Sequence, residues 1–168
     1  MNPEHANMMA RYNQWMNENL YEACADLSDE DRKADRRLFF GSIHGTLNHL
    51  LLADKIWLGR FIHEPFEARS LDQELFAGFP SLREARADTD RLILEWTAGL
   101  TEAELARDLE YRSVRNPVPR SLPMWIAVTH LFNHQTHHRG QVTAALSQLG
   151  IDYGGTDLIA SPALPAVP

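Results

Sequence analysis

The sequence has few of the features that mark disulfide-rich, membrane-spanning or nucleic-acid-binding proteins. Cys24 is the only cysteine among 168 residues, so no intrachain disulfide can form. No apolar run approaches the roughly 20 residues of a membrane span, and residues 1–16 lack the apolar block of a signal peptide. The net charge of -7 argues against a general binder of phosphate backbones. We therefore expect a soluble, cytoplasmic protein that binds neither membrane nor nucleic acid.

Two features that could suggest chemistry have simpler explanations. Cys24 would need a neighbouring base to act as a nucleophile, and none is visible, so we interpret it as a small buried apolar residue. The densest basic cluster is interleaved with acidic residues, which is typical of a solvated helix face. This cluster consists of Arg32, Lys33, Arg36 and Arg37.

Apolar residues recur at intervals of three and four along most of the chain, which predicts amphipathic or buried helices. The chain is long enough for one domain, residues 1–168, with a substantial core. We predict four long helices, from Pro3 to about Leu27, from about Phe39 to Ile62, from Ser81 to about Ala98, and from near Ser121 to before Gly150. No convincing sheet is visible, so the predicted fold is all-α, a four-helix bundle.

The segments between these helices carry turn and capping signals. Ser81 with Glu84 has the spacing of a capping box, and Ser28 with Asp31 resembles one. Thr101 and Glu104 are expected to begin a further turn. The other connections are predicted to be a loop from Glu64 to Pro80, a short extended piece from Tyr111 to Val114, a break at Asn116–Pro119, and an irregular tail from about residue 151 that includes Pro162, Pro165 and Pro168.

Histidines supply the strongest functional signal. His134 and His138 stand four residues apart, so on a helix their imidazoles project from the same face. His49 lies in a second, leucine-rich helix, where a buried imidazole is costly unless its nitrogens are satisfied. We therefore predict that His49, His134 and His138 hold a metal ion. The alternative is that all three are core histidines satisfied by carbonyl groups or by one another.

The other histidines are weaker candidates. By helical angle His44 lies about 140° from His49, and His130 and His137 fall on the flanks of the face that carries His134. We expect the two flanking imidazoles to be hydrogen-bonded or solvated, although their roles stay open. His5 and His63 are predicted to be surface residues.

Several polar residues near the ligands could orient the imidazoles. They are Asn48, Asn133, Gln135, Gln141 and Asp54. By helical angle Gln141 is the best placed, whereas Asp54 points away from His49 and is expected to cap or pair elsewhere. Arg139 could meet an anionic substrate group, but we favour a surface ion pair. Gly140 inside a helix suggests a close approach by a backbone or a ligand. The tryptophans Trp15, Trp57, Trp96 and Trp125 are predicted to be core residues.

Two blocks of sequence together resemble the DinB family, the damage-inducible DinB/YfiT-like proteins. The first block is Ser42–Asp54 followed by Trp57-Leu58, and the second is Phe132-Asn133-His134 through His138-Arg139-Gly140-Gln141. The spacing between them and the Leu149-Gly150 that follows also fit the family. The resemblance implies a four-helix bundle of the DinB/YfiT-like type, often dimeric, with nickel or zinc held by His49, His134 and His138.

The resemblance leaves two classes of function open. Related branches use the metal to activate a low-molecular-weight thiol, which implies an enzyme, a thiol S-transferase or a hydrolase-like activity. Three neutral imidazoles leave a coordination position for water or substrate, the arrangement of catalytic rather than structural zinc. The alternative is a stress-response protein whose ion stabilises the bundle and does no chemistry. An open position beside a lined pocket would favour the enzyme, and a closed shell without a cavity the structural ion.

Overall fold

The computed structural model describes residues 1–162 and 164 of the chain. Within these residues there are six α-helices and one two-stranded sheet. The helices are α1 (Pro3–Ala25), α2 (Asp29–Lys33), α3 (Ile43–Phe61), α4 (Phe79–Ala98), α5 (Glu102–Ala106) and α6 (Met124–Gln148). The strands β1 (Asp108–Arg112) and β2 (Pro119–Pro123) lie between α5 and α6. The fold is mostly helical, as predicted, but the expectation of no sheet was wrong.

The long helices α1, α3, α4 and α6 pack on one another. α1 contacts α4 and α6, and α3 contacts the same two helices. Their buried side chains form two large apolar clusters, and each buried leucine stabilises the fold by roughly 1.5–3 kcal/mol. One cluster includes Ala10, Phe61, Ile93 and Leu131, and the other includes Leu20, Leu51, Leu82 and Leu146.

The second predicted helix begins at Ile43 rather than near Phe39. Ser42 caps it, because its hydroxyl accepts a hydrogen bond from the Gly45 N–H at 3.0 Å. Just before the cap the chain turns tightly, with an isolated β-bridge between Leu38 and Gly41. Gly41 has a φ of 74°, which glycine adopts without steric cost. This turn interrupts the apolar periodicity that suggested an earlier helix start.

Of the predicted capping signals, the one at Ser81 was wrong. α4 begins at Phe79 with Pro80 in its first turn, and its N-cap residue makes no side-chain hydrogen bond. Proline is tolerated there because a first-turn N–H has no partner within the helix. The turn expected at Thr101 and Glu104 is α5, and a capping box begins it. Glu104 accepts from the Thr101 N–H at 2.9 Å, and Thr101 accepts from the Glu104 N–H at 3.2 Å. Ser28 likewise caps α2.

The sheet displaces the start of the last helix. β2 pairs with β1 in antiparallel register, with Asp108 opposite Pro123 and Arg112 opposite Pro119. α6 therefore begins at Met124 and not near Ser121, and it ends before Gly150 as predicted. The extended piece expected at Tyr111–Val114 overlaps β1 only as far as Arg112.

The segment after residue 151 is irregular, as predicted, apart from a short 3-10 helix at Leu158–Ala160. It packs back on the helices, because the Tyr12 hydroxyl donates to the Thr156 carbonyl at 2.6 Å. Pro165 and Pro168 of the predicted tail lie outside the described residues. Among the described residues no helix is both long enough and apolar enough to cross a membrane.

Two residues outside the candidate site differ from prediction in their burial. Arg32 is buried rather than solvated, and it donates to the carbonyls of Cys24, in the last turn of α1, and Leu27, just beyond that helix. Trp125 is 42% exposed rather than a core residue. Trp15, Trp57 and Trp96 are half-buried against the apolar clusters. Cys24 is buried as predicted, and this burial raises the pKa of its thiol to about 12.

Candidate metal centre

Three histidines from two helices bring their ring nitrogens together. His49 on α3 places Nε2 at 3.1 Å from Nε2 of His134 on α6. The ring centroids of His134 and His138 are 4.4 Å apart, as residues four apart on one helix face should be. One nitrogen from each ring lies within 4.8 Å of the others. The three histidines singled out in the sequence could thus hold one metal ion.

Two of these imidazoles are oriented by an acceptor on the side away from the cluster. His49 Nδ1 lies 2.7 Å from the Leu71 carbonyl oxygen, and His138 Nδ1 lies 2.8 Å from Oε1 of Gln141. Because a carbonyl oxygen can only accept, each Nδ1 carries the proton and each Nε2 keeps a lone pair. Those lone pairs are the ones that a metal ion requires.

His134 differs from the other two. Its Nδ1 is buried and has no hydrogen-bond partner among the described residues. Its Nε2, opposite Nε2 of His49, can therefore donate a proton into the space between the two nitrogens.

Burial keeps the cluster neutral. It lowers the pKa of His49 to about 4, although the hydrogen bond to Leu71 acts in the opposite direction. Burial, followed by the proximity of His138, lowers the pKa of His134 to about 3. Burial also lowers the pKa of His138. All three rings are uncharged near pH 7, as metal ligands must be.

The donor set fits a divalent ion of borderline softness. Two nitrogens bound to one tetrahedral zinc at about 2.0–2.1 Å stand roughly 3.3 Å apart. The 3.1 Å between His49 Nε2 and His134 Nε2 is close to that separation. Three imidazole ligands suit zinc or nickel and leave at least one coordination position for another molecule. The residues present therefore fit a divalent metal ion.

Phe40 covers one face of the cluster. Its ring stacks on that of His49 with 3.7 Å between centroids and 19° between planes. The turn that carries Phe40 lies so close to α3 that a Cβ on Gly45 would meet the Phe40 carbonyl oxygen at 2.3 Å. Only glycine at position 45 allows this approach. The space that Gly45 leaves beside α3 is therefore occupied by the backbone of Phe40.

A loop of residues 62–78, here called the 62–78 loop, is held over the site by side chains of α3. Asn48 Oδ1 accepts from the N–H groups of Leu75 and Phe76, at 2.9 and 3.0 Å. His44 Nε2 lies 2.9 Å from the Phe76 carbonyl oxygen. The third link is the one between His49 and Leu71. A segment with no periodicity of its own is thereby positioned by the helix that supplies a candidate ligand.

The cluster opens onto a cavity of about 1030 Å³. The three candidate ligands line it together with Phe40, Leu71 and Gln141. Two segments far apart in sequence complete the wall, the 62–78 loop and the connection between β1 and β2. The volume is at the upper end of small-molecule pockets, which span roughly 300–1,000 Å³. The cavity therefore has room for an organic molecule beside the histidines.

The remaining histidines lie where the sequence predicted. His44 bonds to the 62–78 loop and not to the cluster, and His5 and His63 are exposed. His130 and His137 are exposed on the flanks of α6. His130 contacts Trp57, with 5.1 Å between ring centroids, and His137 borders the cavity.

The polar residues near the ligands have separate roles. Gln141 orients His138 as predicted. Asp54 points away from His49, also as predicted, and pairs with Arg86 of α4 at 2.7 Å. Gln135 joins the same ion pair by donating to Asp54. Asn48 holds the 62–78 loop, and Asn133 is exposed. Among the five polar residues, only Gln141 contacts a candidate ligand.

Two predictions about the second block were wrong. Arg139 is buried and does not form a surface ion pair, because its guanidinium donates to Asn13 of α1 and, at 3.2 Å, to Oε1 of Gln135. Gly140 is exposed, and a Cβ there would meet nothing within 4 Å, so no close approach explains it.

Sequence reasoning missed three parts of the site. The carbonyl of Leu71 contacts His49 from a loop without a helical period, where spacing gives no information. The ring of Phe40 contacts it from a turn that the apolar periodicity had placed in the second helix. The arginines Arg69 and Arg115, from two loops, line the cavity. The Gly45 position beside His49 was the only sequence signal that hinted at the approach of Phe40.

The family model of the DinB family matches residues 1–164, which is nearly the whole chain. The chain belongs to the DinB family. Protein DinB of Bacillus subtilis (strain 168) is 26% identical over 154 residues, which cover 87% of each chain. A crystal structure of a DinB-like protein from Bacillus cereus ATCC 10987 matches with a TM-score of 0.62 at 20% identity.

That structural match covers 84% of this DinB-family chain and 90% of the other. At this level of identity the match supports the fold alone. The resemblance stated from the two sequence blocks is thus confirmed at the level of family, and the three histidines lie within the matched residues.

Proposed function

We propose that this DinB-family protein is a metal-dependent enzyme that uses His49, His134 and His138 to bind a nickel or zinc ion. The observation that carries the proposal is that the three-imidazole cluster opens onto a cavity of about 1030 Å³. A structural ion would be enclosed by protein ligands, whereas a catalytic ion needs an accessible position and space for substrate.

The reaction class that fits is transfer to or from a thiol, or a hydrolase-like reaction. A divalent ion in this site would supply Lewis acidity, which lowers the pKa of a thiol or water and favours its conjugate base. The Leu71 carbonyl would orient His49, and the Gln141 side chain would orient His138. Phe40 would shield one side of the cluster from water.

The only thiol of the chain lies away from the cavity. Cys24 is fully buried in the second apolar cluster, and the raised pKa of its thiol keeps it protonated near pH 7. It does not line the cavity. A thiol nucleophile must therefore enter as a small molecule, which agrees with the low-molecular-weight thiol that the resemblance implies.

The test compares wild-type protein with a His138→Ala variant. We expect about one nickel or zinc ion per wild-type chain and turnover in a screen of thiol conjugation to electrophiles. The variant should lose most of the metal, because two imidazoles bind far more weakly than three, and should lose turnover with it. A His5→Ala variant, changed at an exposed histidine outside the site, should keep both. Full turnover without metal would contradict the proposal.

We also propose that α1, α3, α4 and α6 form a four-helix bundle that assembles as a homodimer. The packing of α1 and α3 on both α4 and α6 supports the bundle. The dimer rests on the family resemblance and on the exposed apolar side chains of Trp125 and Ile126, 42% and 39% accessible, on α6. Light scattering of the purified chain would report its mass.

A further inference from the structure

Two arginines from separate loops border the cavity. Arg69 lies in the 62–78 loop, and Arg115 lies in the connection between β1 and β2. Both are exposed, and within residues 1–162 neither guanidinium has a hydrogen-bond or ion-pair partner. Arg83 and Arg91, on the surface of α4, are by contrast paired with Glu22 and Asp88. Two cationic groups that no described residue pairs with thus border the cavity.

The charge of the cavity is opposite to that of the chain. The net charge of the whole protein is -7. Among the described residues, the only acidic side chain that lines the cavity is Asp72, whose pKa is lowered by a hydrogen bond from Ser70. The lining therefore carries two guanidinium groups and one carboxylate, without counting the charge of a metal ion. A local positive field of this kind attracts anions.

The cavity also has an apolar wall. Phe39, which is 80% exposed, stands beside Phe40 with 4.9 Å between ring centroids. Leu71 and Val114 extend this surface toward the two loops. A large exposed aromatic ring beside a candidate site is typical of ligand contact rather than of ordinary surface.

We propose that the cavity binds a small organic anion whose acidic group is held by Arg69 and Arg115 while its reactive end reaches the three histidines. The inference rests on the proposed function, because it assigns a substrate class to the same site. The sequence suggested Arg139 as a residue that could recognise an anion, but Arg139 is buried in the core. The inference assigns that role to Arg69 and Arg115.

Arginine suits this role for a geometric reason. The guanidinium presents parallel N–H donors that match the two oxygens of a carboxylate. Arg69 is two residues from Leu71, whose carbonyl orients His49. The same short segment therefore contacts a candidate ligand and contributes to the anion site.

The test uses cobalt(II)-loaded protein, because coordination of a thiolate to cobalt gives an absorption band that reports binding. The probes are 3-mercaptopropionate and 6-mercaptohexanoate, each compared with its neutral amide. We expect the better-fitting carboxylate to bind wild type about 10-fold more tightly than its amide, a difference of about 1.4 kcal/mol. In an Arg69→Gln/Arg115→Gln variant the affinities of the carboxylate and of its amide should differ by no more than about 2-fold. The affinity of the amide itself should be unchanged.

A control variant, Arg11→Gln/Arg107→Gln, removes the same charge at exposed positions outside the cavity and should keep the preference. Equal binding of acids and amides by wild type would overturn the anion site while leaving the metal centre in place. A preference that survives in the Arg69→Gln/Arg115→Gln variant would also overturn it, since another group would then hold the anion. If no thiol altered the cobalt spectrum, thiols would not coordinate the metal. That result would contradict the proposed function and, because it rests on that function, this inference as well.

Discussion

At the scale of single residues, the three candidate ligands differ in what holds them. His49 is fixed by a backbone carbonyl, His138 by the side chain of Gln141, and His134 by no acceptor at Nδ1 among the described residues. A partner on Nδ1 fixes the orientation of the ring and the position of its proton, and so raises metal affinity. Of these partners, only Gln141 can be removed by a substitution.

We predict that Gln141→Leu weakens metal binding about 10-fold or more, because His138 loses the acceptor that holds its Nδ1 proton. Gln141→Glu should keep affinity near that of wild type, since a carboxylate accepts the same hydrogen bond. The measurement is competition for zinc with a chromophoric chelator.

Gln148→Leu is the matched control, because Gln148 is exposed near the end of the same helix. It should leave metal affinity unchanged. Equal affinities for wild type and Gln141→Leu would show that the hydrogen bond to Gln141 does not orient His138.

At the scale of secondary-structure elements, α6 is fixed on two adjacent faces. His134 and His138 face the cavity, and the residues that follow each of them, Gln135 and Arg139, enter a buried polar network. The network reaches the three other long helices through Asn13 and Asn17 of α1, Asp54 of α3, and Arg86 and Asp90 of α4. Rotation of α6 would break these hydrogen bonds, so the network sets the direction of both imidazoles.

Asp54 is the point in this network where three helices meet, and we predict that Asp54→Asn destabilises the fold by about 3 kcal/mol. Its carboxylate accepts from Arg86 and Gln135, and loss of the charge leaves Arg86 with incomplete compensation in the core. The measurement is the free energy of unfolding from urea denaturation.

Asp88→Asn provides the comparison, because Asp88 forms an exposed ion pair with Arg91 on α4. Loss of this ion pair should lower the free energy of unfolding by less than about 1 kcal/mol.

Burial raises the pKa of Asp54 while Arg86 acts to lower it. A loss below 1 kcal/mol for Asp54→Asn would therefore mean that the carboxyl group is already protonated in the folded protein.

The elements differ in how far the sequence predicts them. Regular periodicity over many residues placed the long helices, and the spacing of four placed His134 beside His138. The sheet was missed because β2 has proline at both ends, where strand signals are weakest. Arg139 was misplaced because its partner, Asn13, lies on a distant helix and a charged residue is more often exposed.

At the scale of the whole molecule, the candidate metal centre is separate from the apolar clusters that hold the fold. The two apolar clusters contain none of the three candidate ligands. Each cluster includes residues of α1, α3, α4 and α6, so the long helices are joined without the ion. Loops without a helical period close the cavity, and their positions depend on nonlocal contacts. The sequence therefore indicated the three candidate ligands but not the pocket.

This separation predicts that metal removal leaves the fold intact. After chelation, the far-ultraviolet circular dichroism at 25 °C should stay that of a helical protein, because the apolar clusters persist. Metal at 100 times its dissociation constant stabilises the protein by about 2.7 kcal/mol, so Tm should rise by about 5–10 °C on its return. A His49→Gln/His138→Gln variant should be folded and show no such rise. Unfolding on chelation would instead assign the ion a structural role and contradict the proposed enzyme.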